Sequence, residues 1–132
     1  MNKEDKELLL KDLSTRLPYG VICQVTFDED NIFTETLESV NMKYINQIST
    51  SGSSCGVECI KPYLRPMSSM KEDEIKELGI IDRKRLIFSA RHLTYHLDGE
   101  IIDFLNKKMI DWRGLIEKDL AIKAPKGMYK FK

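Results

Sequence analysis

Ile60-Lys61-Pro62-Tyr63-Leu64-Arg65-Pro66-Met67-Ser68-Ser69-Met70 is the stretch on which the reading of this chain turns. Pro62 and Pro66 each fix φ and remove a backbone donor, so neither a helix nor a central strand is expected to run through them. Lys61 and Arg65, each preceding a proline, are pushed towards extended backbone. Tyr63, Leu64 and Met67 are large apolar groups where a flexible linker would carry Gly and Ser. Residues 61–70 therefore read as an extended strap. It joins a strand-rich part, 1–60, to a mainly helical part with a basic tail, 71–132, within one domain of two lobes.

After the strap, Ser69 and Glu72 have the spacing of a capping box, and Glu72, Asp73 and Glu74 suit the positive end of a helix dipole. Gly79 reads as the stop, so the spacing predicts a helix over 70–78. Asp82-Arg83-Lys84-Arg85 is a charged turn. Residues 86–97 fit helix and strand equally well. Asp98 caps a predicted helix over 100–108 with Ile101, Phe104, Leu105 and Met109 inward, and Asp111 caps a last short helix over 112–118. Leu120-Ala121-Ile122 is a short extended piece.

Ahead of the strap, Asn2 is a helix cap, Leu9, Leu10, Leu13 and Leu17 repeat at helical spacing, and Pro18 ends the helix near Arg16. Val21, Cys23, Val25 and Phe27 alternate with polar or less buried neighbours, as in a strand with one buried face. Further strands are expected over 32–38, 40–48 and 57–60, with Asp28-Glu29-Asp30-Asn31 as a hairpin turn and 49–56 as a Ser/Gly loop. The expected fold class is α+β. A small antiparallel, curled, SH3-like sheet of about four strands is covered by the first helix and followed by a mainly helical C-terminal half.

The 132 residues carry formally zero net charge. The charge is unevenly spread: residues 1–60 hold five Lys/Arg against ten Asp/Glu, and residues 61–132 hold sixteen against eleven. Two faces with different partners, or docking of one half on the other, both follow from such asymmetry. The three cysteines lack disulfide-framework spacing and read as reduced thiols in a cytoplasmic protein. No signal peptide or membrane span is legible.

Several patterns invite chemistry. Gly52-Ser53-Ser54-Cys55-Gly56 matches a nucleophile elbow literally, yet a strand follows it, where the elbow needs a helix. Cys55-x3-Cys59 and His92-x3-His96 are two pairs of zinc-type ligands, separated by far more chain than in a zinc finger. Glu35 with Glu38, and Asp98, Glu100 and Asp103, are carboxylate groups that strand exposure and helix capping explain. No nucleophile, base and orienter can be assembled, no Gly-rich phosphate loop occurs, and neither enzyme nor cofactor is expected. Two binding readings stand. Tyr63, Arg65, Trp112 and Arg113 are of the types that dominate protein–protein anchors. Arg83, Lys84, Arg85, Lys126 and Lys130, with Tyr129 and Phe131 interleaved near the end, are of the types that grip single-stranded nucleic acid. The pI near 6.7 lies below the basic range of a dedicated nucleic-acid domain.

The strap motif, the Phe104-Leu105-Asn106 helix, Asp111-Trp112-Arg113-Gly114-Leu115-Ile116-Glu117-Lys118, Ala124-Pro125 and Gly127-Met128-Tyr129 closely resemble a family of small uncharacterised proteins. That family is associated with gut anaerobic bacteria and their phages or mobile elements. Leu13 and Leu17-Pro18-Tyr19-Gly20-Val21 match its opening. Asp119 departs from an expected glycine, and Lys107-Lys108-Met109 from expected histidines, so no histidine-based role carries over there. The resemblance implies a context without an activity. The leading expectation is a cytoplasmic accessory or adaptor protein that binds another protein and is encoded by a phage or mobile element. The alternative is a nucleic-acid-binding protein using the basic clusters of the C-terminal half.

Overall fold

The first helix, α1 (Lys3–Arg16), forms where its signals place it. The Asn2 side chain accepts from the Asp5 amide at 2.7 Å, and Pro18 follows directly in a 3-10 turn. Leu9, Leu10 and Leu13 are buried against the sheet, each contributing roughly 1.5–3 kcal/mol of hydrophobic stabilisation. The computed structural model describes residues 1–41, 47–81 and 99–131.

The sheet has six strands: β1 (Ile22–Asp28), β2 (Asn31–Val40), β3 (Ile48–Thr50), β4 (Ser54–Cys55), β5 (Ile60–Leu64) and β6 (Ile122–Lys123). Their spatial order is β4-β3-β2-β1-β5-β6. Each neighbouring pair is antiparallel except β5 and β6, which run parallel. The sheet is thus larger than the expected four-stranded one, and mixed.

Much of that difference lies in the strap, whose first part is strand β5, hydrogen-bonded on both sides. Pro62 is tolerated there for a positional reason. It stands opposite Cys23 on β1, while Leu64, of the same parity, accepts from the Ala124 amide on the β6 side at 2.7 Å. The missing Pro62 donor therefore faces the β6 side, where pairing begins only at Tyr63. No ladder bond is lost. Residues 57–59, expected as strand, form a 3-10 turn.

The described part of the C-terminal half is not mainly helical. It holds α2 (Glu72–Ile81) and α3 (Gly99–Lys107), then turns and β6. Helix α2 runs through Gly79 rather than ending before it. Its start also differs from expectation: Ser69 Oγ donates to Pro66 O at 2.6 Å, and Glu74 rather than Glu72 reaches back, accepting from the Lys71 amide at 3.0 Å. Asp111 does cap a turn, accepting from the Leu115 and Ile116 amides at 2.8 and 2.9 Å. No helix follows it. Gly114 at φ 76° and Asp119 at φ 59° are left-handed and break the run. Asp119 occupies the position where the resemblance leads one to expect glycine.

One core lies between α1 and the sheet and includes Leu115, Leu120 and Ala121 from the C-terminal turns. A second joins Leu78 of α2 to Ile101, Phe104 and Leu105 of α3 and to Ile110. No helix among the described residues is long and apolar enough to cross a membrane.

Charge also crosses the interior. Asp12 on α1 is fully buried. Its Oδ2 accepts from Arg16 Nε at 2.9 Å and its Oδ1 from Arg113 Nη1 at 2.6 Å. Arg16 Nη2 in turn donates to Ile110 O at 2.7 Å. One carboxylate thus joins α1 to the turn after α3. Replacing one partner of such a group leaves uncompensated charge. Asp12→Ala, which strands two guanidinium groups, is expected to lower the unfolding free energy by about 3–5 kcal/mol. Urea unfolding monitored by Trp112 fluorescence measures it, and a loss below about 1 kcal/mol contradicts the structural role given to Asp12.

Candidate functional site

The chain after β6 turns on Pro125 and on Gly127, at φ 83°, with the Met128 amide bonded to Pro125 O at 3.1 Å. This reversal sends Tyr129 inward. Its hydroxyl accepts from the Ile22 amide at 2.9 Å and donates to Tyr63 O at 2.7 Å. It therefore stands where β1 and β5 would next have bonded each other, one position beyond the Cys23–Pro62 pair. Burial pushes the phenol pKa well above its usual value, so the hydroxyl keeps its proton and its donor role.

With Tyr129 fixed, Phe131 lies over two cationic groups. The Phe131 ring stacks beside Tyr129 with centroids 6.1 Å apart. The Arg65 guanidinium is 5.3 Å and Lys108 Nζ 4.9 Å from the Phe131 centroid. Two cavities meet at Tyr129 and Phe131. The first, about 370 Å³, is bordered by Arg65, Lys71, Lys123 and Lys126. The second, about 570 Å³, is bordered by Tyr19, Lys107, Lys108, Met128 and Lys130. Seven cationic side chains face these two spaces, and among the described residues Glu74 is the one carboxylate that does. Phe131 is 37% and Tyr19 38% exposed, so both rings present surface to a ligand.

Glu74 is already neutralised. Arg65 grips it with both terminal nitrogens, at 2.8 and 2.6 Å, and also donates to Lys108 O and Ser69 O, each at 3.2 Å. The Arg65 hydrogen bonds first, then the Lys71 amide, hold the Glu74 carboxyl down at about 2. The net character of the cleft is therefore that of its six lysines. Such a lining offers charge for anions and ring faces for stacking.

The four expected anchors are engaged within the fold. Tyr63 is buried and gives its carbonyl to Tyr129. Arg65 holds Glu74. Trp112, half-buried, donates to Asn106 Oδ1 at 3.0 Å, and its ring lies 4.0 Å from the Arg113 guanidinium carbon. Arg113 holds Asp12. Of the expected basic residues, Lys126 and Lys130 line the cleft, while Arg83, Lys84 and Arg85 lie outside the described residues. Lys71, Lys107, Lys108 and Tyr19 complete the cleft from distant parts of the chain. Only the Lys107-Lys108 pair offered a sequence signal, as a departure from the family pattern.

The remaining candidates take structural places. The 52–56 stretch belongs to the β3–β4 hairpin. There Glu35 accepts from the Thr50 hydroxyl, from the Gly52 amide at 3.0 Å and from Ser53 Oγ at 2.9 Å. These bonds, Thr50 first, lower its pKa. Burial pushes the Cys55 thiol up to about 11 and the Cys23 thiol up to about 12. Among the described residues no group of three or more His, Cys, Asp or Glu is placed to hold a metal ion. His92 and His96 lie outside them.

The Arg65–Glu74 pair yields a pH prediction. Because the folded-state pKa of Glu74 lies below the ordinary 4.5, at about 2, its stabilisation is complete above pH 4.5 and is lost as pH falls through 2. Its size is roughly 3 kcal/mol. Glu74→Gln should therefore lower stability at pH 7 by about that amount and flatten the acid limb between those pH values. Parallel stability–pH curves for variant and parent contradict it.

Compared with protein-family models, with curated proteins and with solved structures, the chain shows no match.

Proposed function

We propose that this chain binds single-stranded nucleic acid through the cleft around Phe131. The observation that carries the reading is the lining of the larger cavity: two partly exposed aromatic rings, Tyr19 and Phe131, among Lys107, Lys108 and Lys130. Stacked rings receive bases, and lysines at the rim receive phosphates. The adjoining cavity adds Lys71, Lys123 and Lys126 along one continuous path. The near-neutral pI is no obstacle, because the charge is unevenly spread: residues 61–132 hold sixteen Lys/Arg against eleven Asp/Glu, and residues 1–60 five against ten. The adaptor reading drew on Tyr63, Arg65, Trp112 and Arg113, and all four spend their polar groups inside the molecule.

Binding of a short fluorescent oligothymidylate, followed by anisotropy across a salt series, tests the reading. Neutralising about three to five phosphates predicts a log K against log salt slope of about −2 to −4. Phe131→Ala is expected to weaken binding by about 1–3 kcal/mol. Lys107→Ala and Lys130→Ala should each reduce the slope by about 0.7. A salt-independent affinity, or unchanged affinity in all three variants, overturns the reading.

A further inference from the structure

The β1–β2 hairpin ends in apolar side chains that neither core uses. Along β1, Cys23 and Val25 are fully buried, but Phe27, next on the same face, is 49% exposed. Phe33, opposite Val25 on β2, is 44% exposed and Ile32 is 51% exposed. The two phenylalanine rings meet edge to face, with centroids 6.3 Å apart. The turn beneath them is locked. Asp28 Oδ1 accepts from the Asp30 amide at 2.9 Å, and Asn31 Nδ2 donates to both Asp28 oxygens at 2.8 Å. The result is a preordered aromatic knob flanked by Asp28, Glu29 and Asp30. Anchors already held in place lose little entropy on binding.

The knob has a complement elsewhere on the molecule. The cavity of Tyr19, Lys107, Lys108, Lys130 and Phe131 combines aromatic rings with lysines, and the knob combines aromatic rings with acids. We propose that Phe27 and Phe33 of one molecule dock into this cavity on a second copy of the chain, with Asp28, Glu29 and Asp30 facing its lysines. Three observations favour a second copy as the occupant. The front part of the chain, which carries the knob, has a net −5 and the remainder, which supplies the lysines, a net +5, so the two attract. The whole molecule is formally neutral, so copies do not repel at long range. And the knob does not reach its own cavity: Ile22 lines that cavity, and Phe27 lies five residues along an extended strand, about 17 Å away.

Knob into cavity can be made reciprocally, closing a two-fold dimer, or head to tail, giving rings or open chains. It also sets self-association against any anionic ligand of the same cavity. That last consequence rests on the nucleic-acid reading, whereas the association itself does not.

Sedimentation velocity on the full chain, over a concentration series at low salt, tests it. Two variants are needed, both altering exposed positions so that the fold, checked by circular dichroism, is retained: Phe27→Ser with Phe33→Ser, and Lys107→Glu with Lys130→Glu. The parent should associate as its concentration rises. Each variant alone should lose association by about thirtyfold or more. Their equimolar mixture should stop at a dimer, since just one intact knob and one intact cavity remain to meet. A parent that stays monomeric, a knob variant that associates like the parent, or a mixture that forms no dimer overturns the proposal. Oligothymidylate binding by the monomeric knob variant separates the two readings: its loss counts against nucleic acid alone, and an intact self-assembly still stands.

Discussion

The hydroxyl of Tyr129 carries the closing bond of the sheet's centre. β1 and β5 stop bonding each other at the Cys23–Pro62 pair, and the phenol replaces the next rung by accepting from Ile22 and donating to Tyr63. A buried amide and carbonyl left open at that point would each cost about 1–3 kcal/mol. The C-terminal segment is therefore part of the sheet's hydrogen bonding. Because Tyr129 is held, Phe131 is held two residues later, and the cationic cleft has a fixed wall instead of a loose tail.

Ion pairs reinforce the same arrangement from two directions. Asp12 links α1 to Arg113 after α3, and Arg65 links the end of β5 to Glu74 on α2 and to the Lys108 carbonyl. Both are short and shielded from water, with side chains at most 13% exposed. They engage Arg16, Arg65 and Arg113 and none of the six cleft lysine side chains. Guanidinium groups suit such fixed, multi-bond positions, and ammonium groups suit a mobile, phosphate-facing rim. The division gives the molecule a rigid frame and a cleft lined by lysines.

What was legible in the chain was local. Helix α1 followed from its cap, its leucine spacing and Pro18, all within reach of one another in sequence. The Asp111 cap was equally readable, but the helix behind it was not formed, because residues 114 and 119 take left-handed backbone that side-chain type alone did not announce. Strand β5 looks like a strap in the sequence because a proline's effect depends on which neighbour its missing donor faces, and that neighbour is set by tertiary pairing. β6 is two residues long and pairs in parallel with a strand far earlier in the chain, so no periodicity marks it. The cleft was half visible for the same reason. Lys126 and Lys130 stood beside aromatic residues, whereas Tyr19, Lys71 and Lys107 join them only through the fold.

Amide chemical-shift mapping of the labelled chain during titration with oligothymidylate distinguishes the cleft from the rest of the surface. Saturable shifts are expected, confined to residues 19–22, 65–71, 107–109 and 123–131, with Phe131 among the largest. Shifts centred on the β1–β2 hairpin or on the Trp112–Arg113 surface, or no shifts at all, would contradict the nucleic-acid reading.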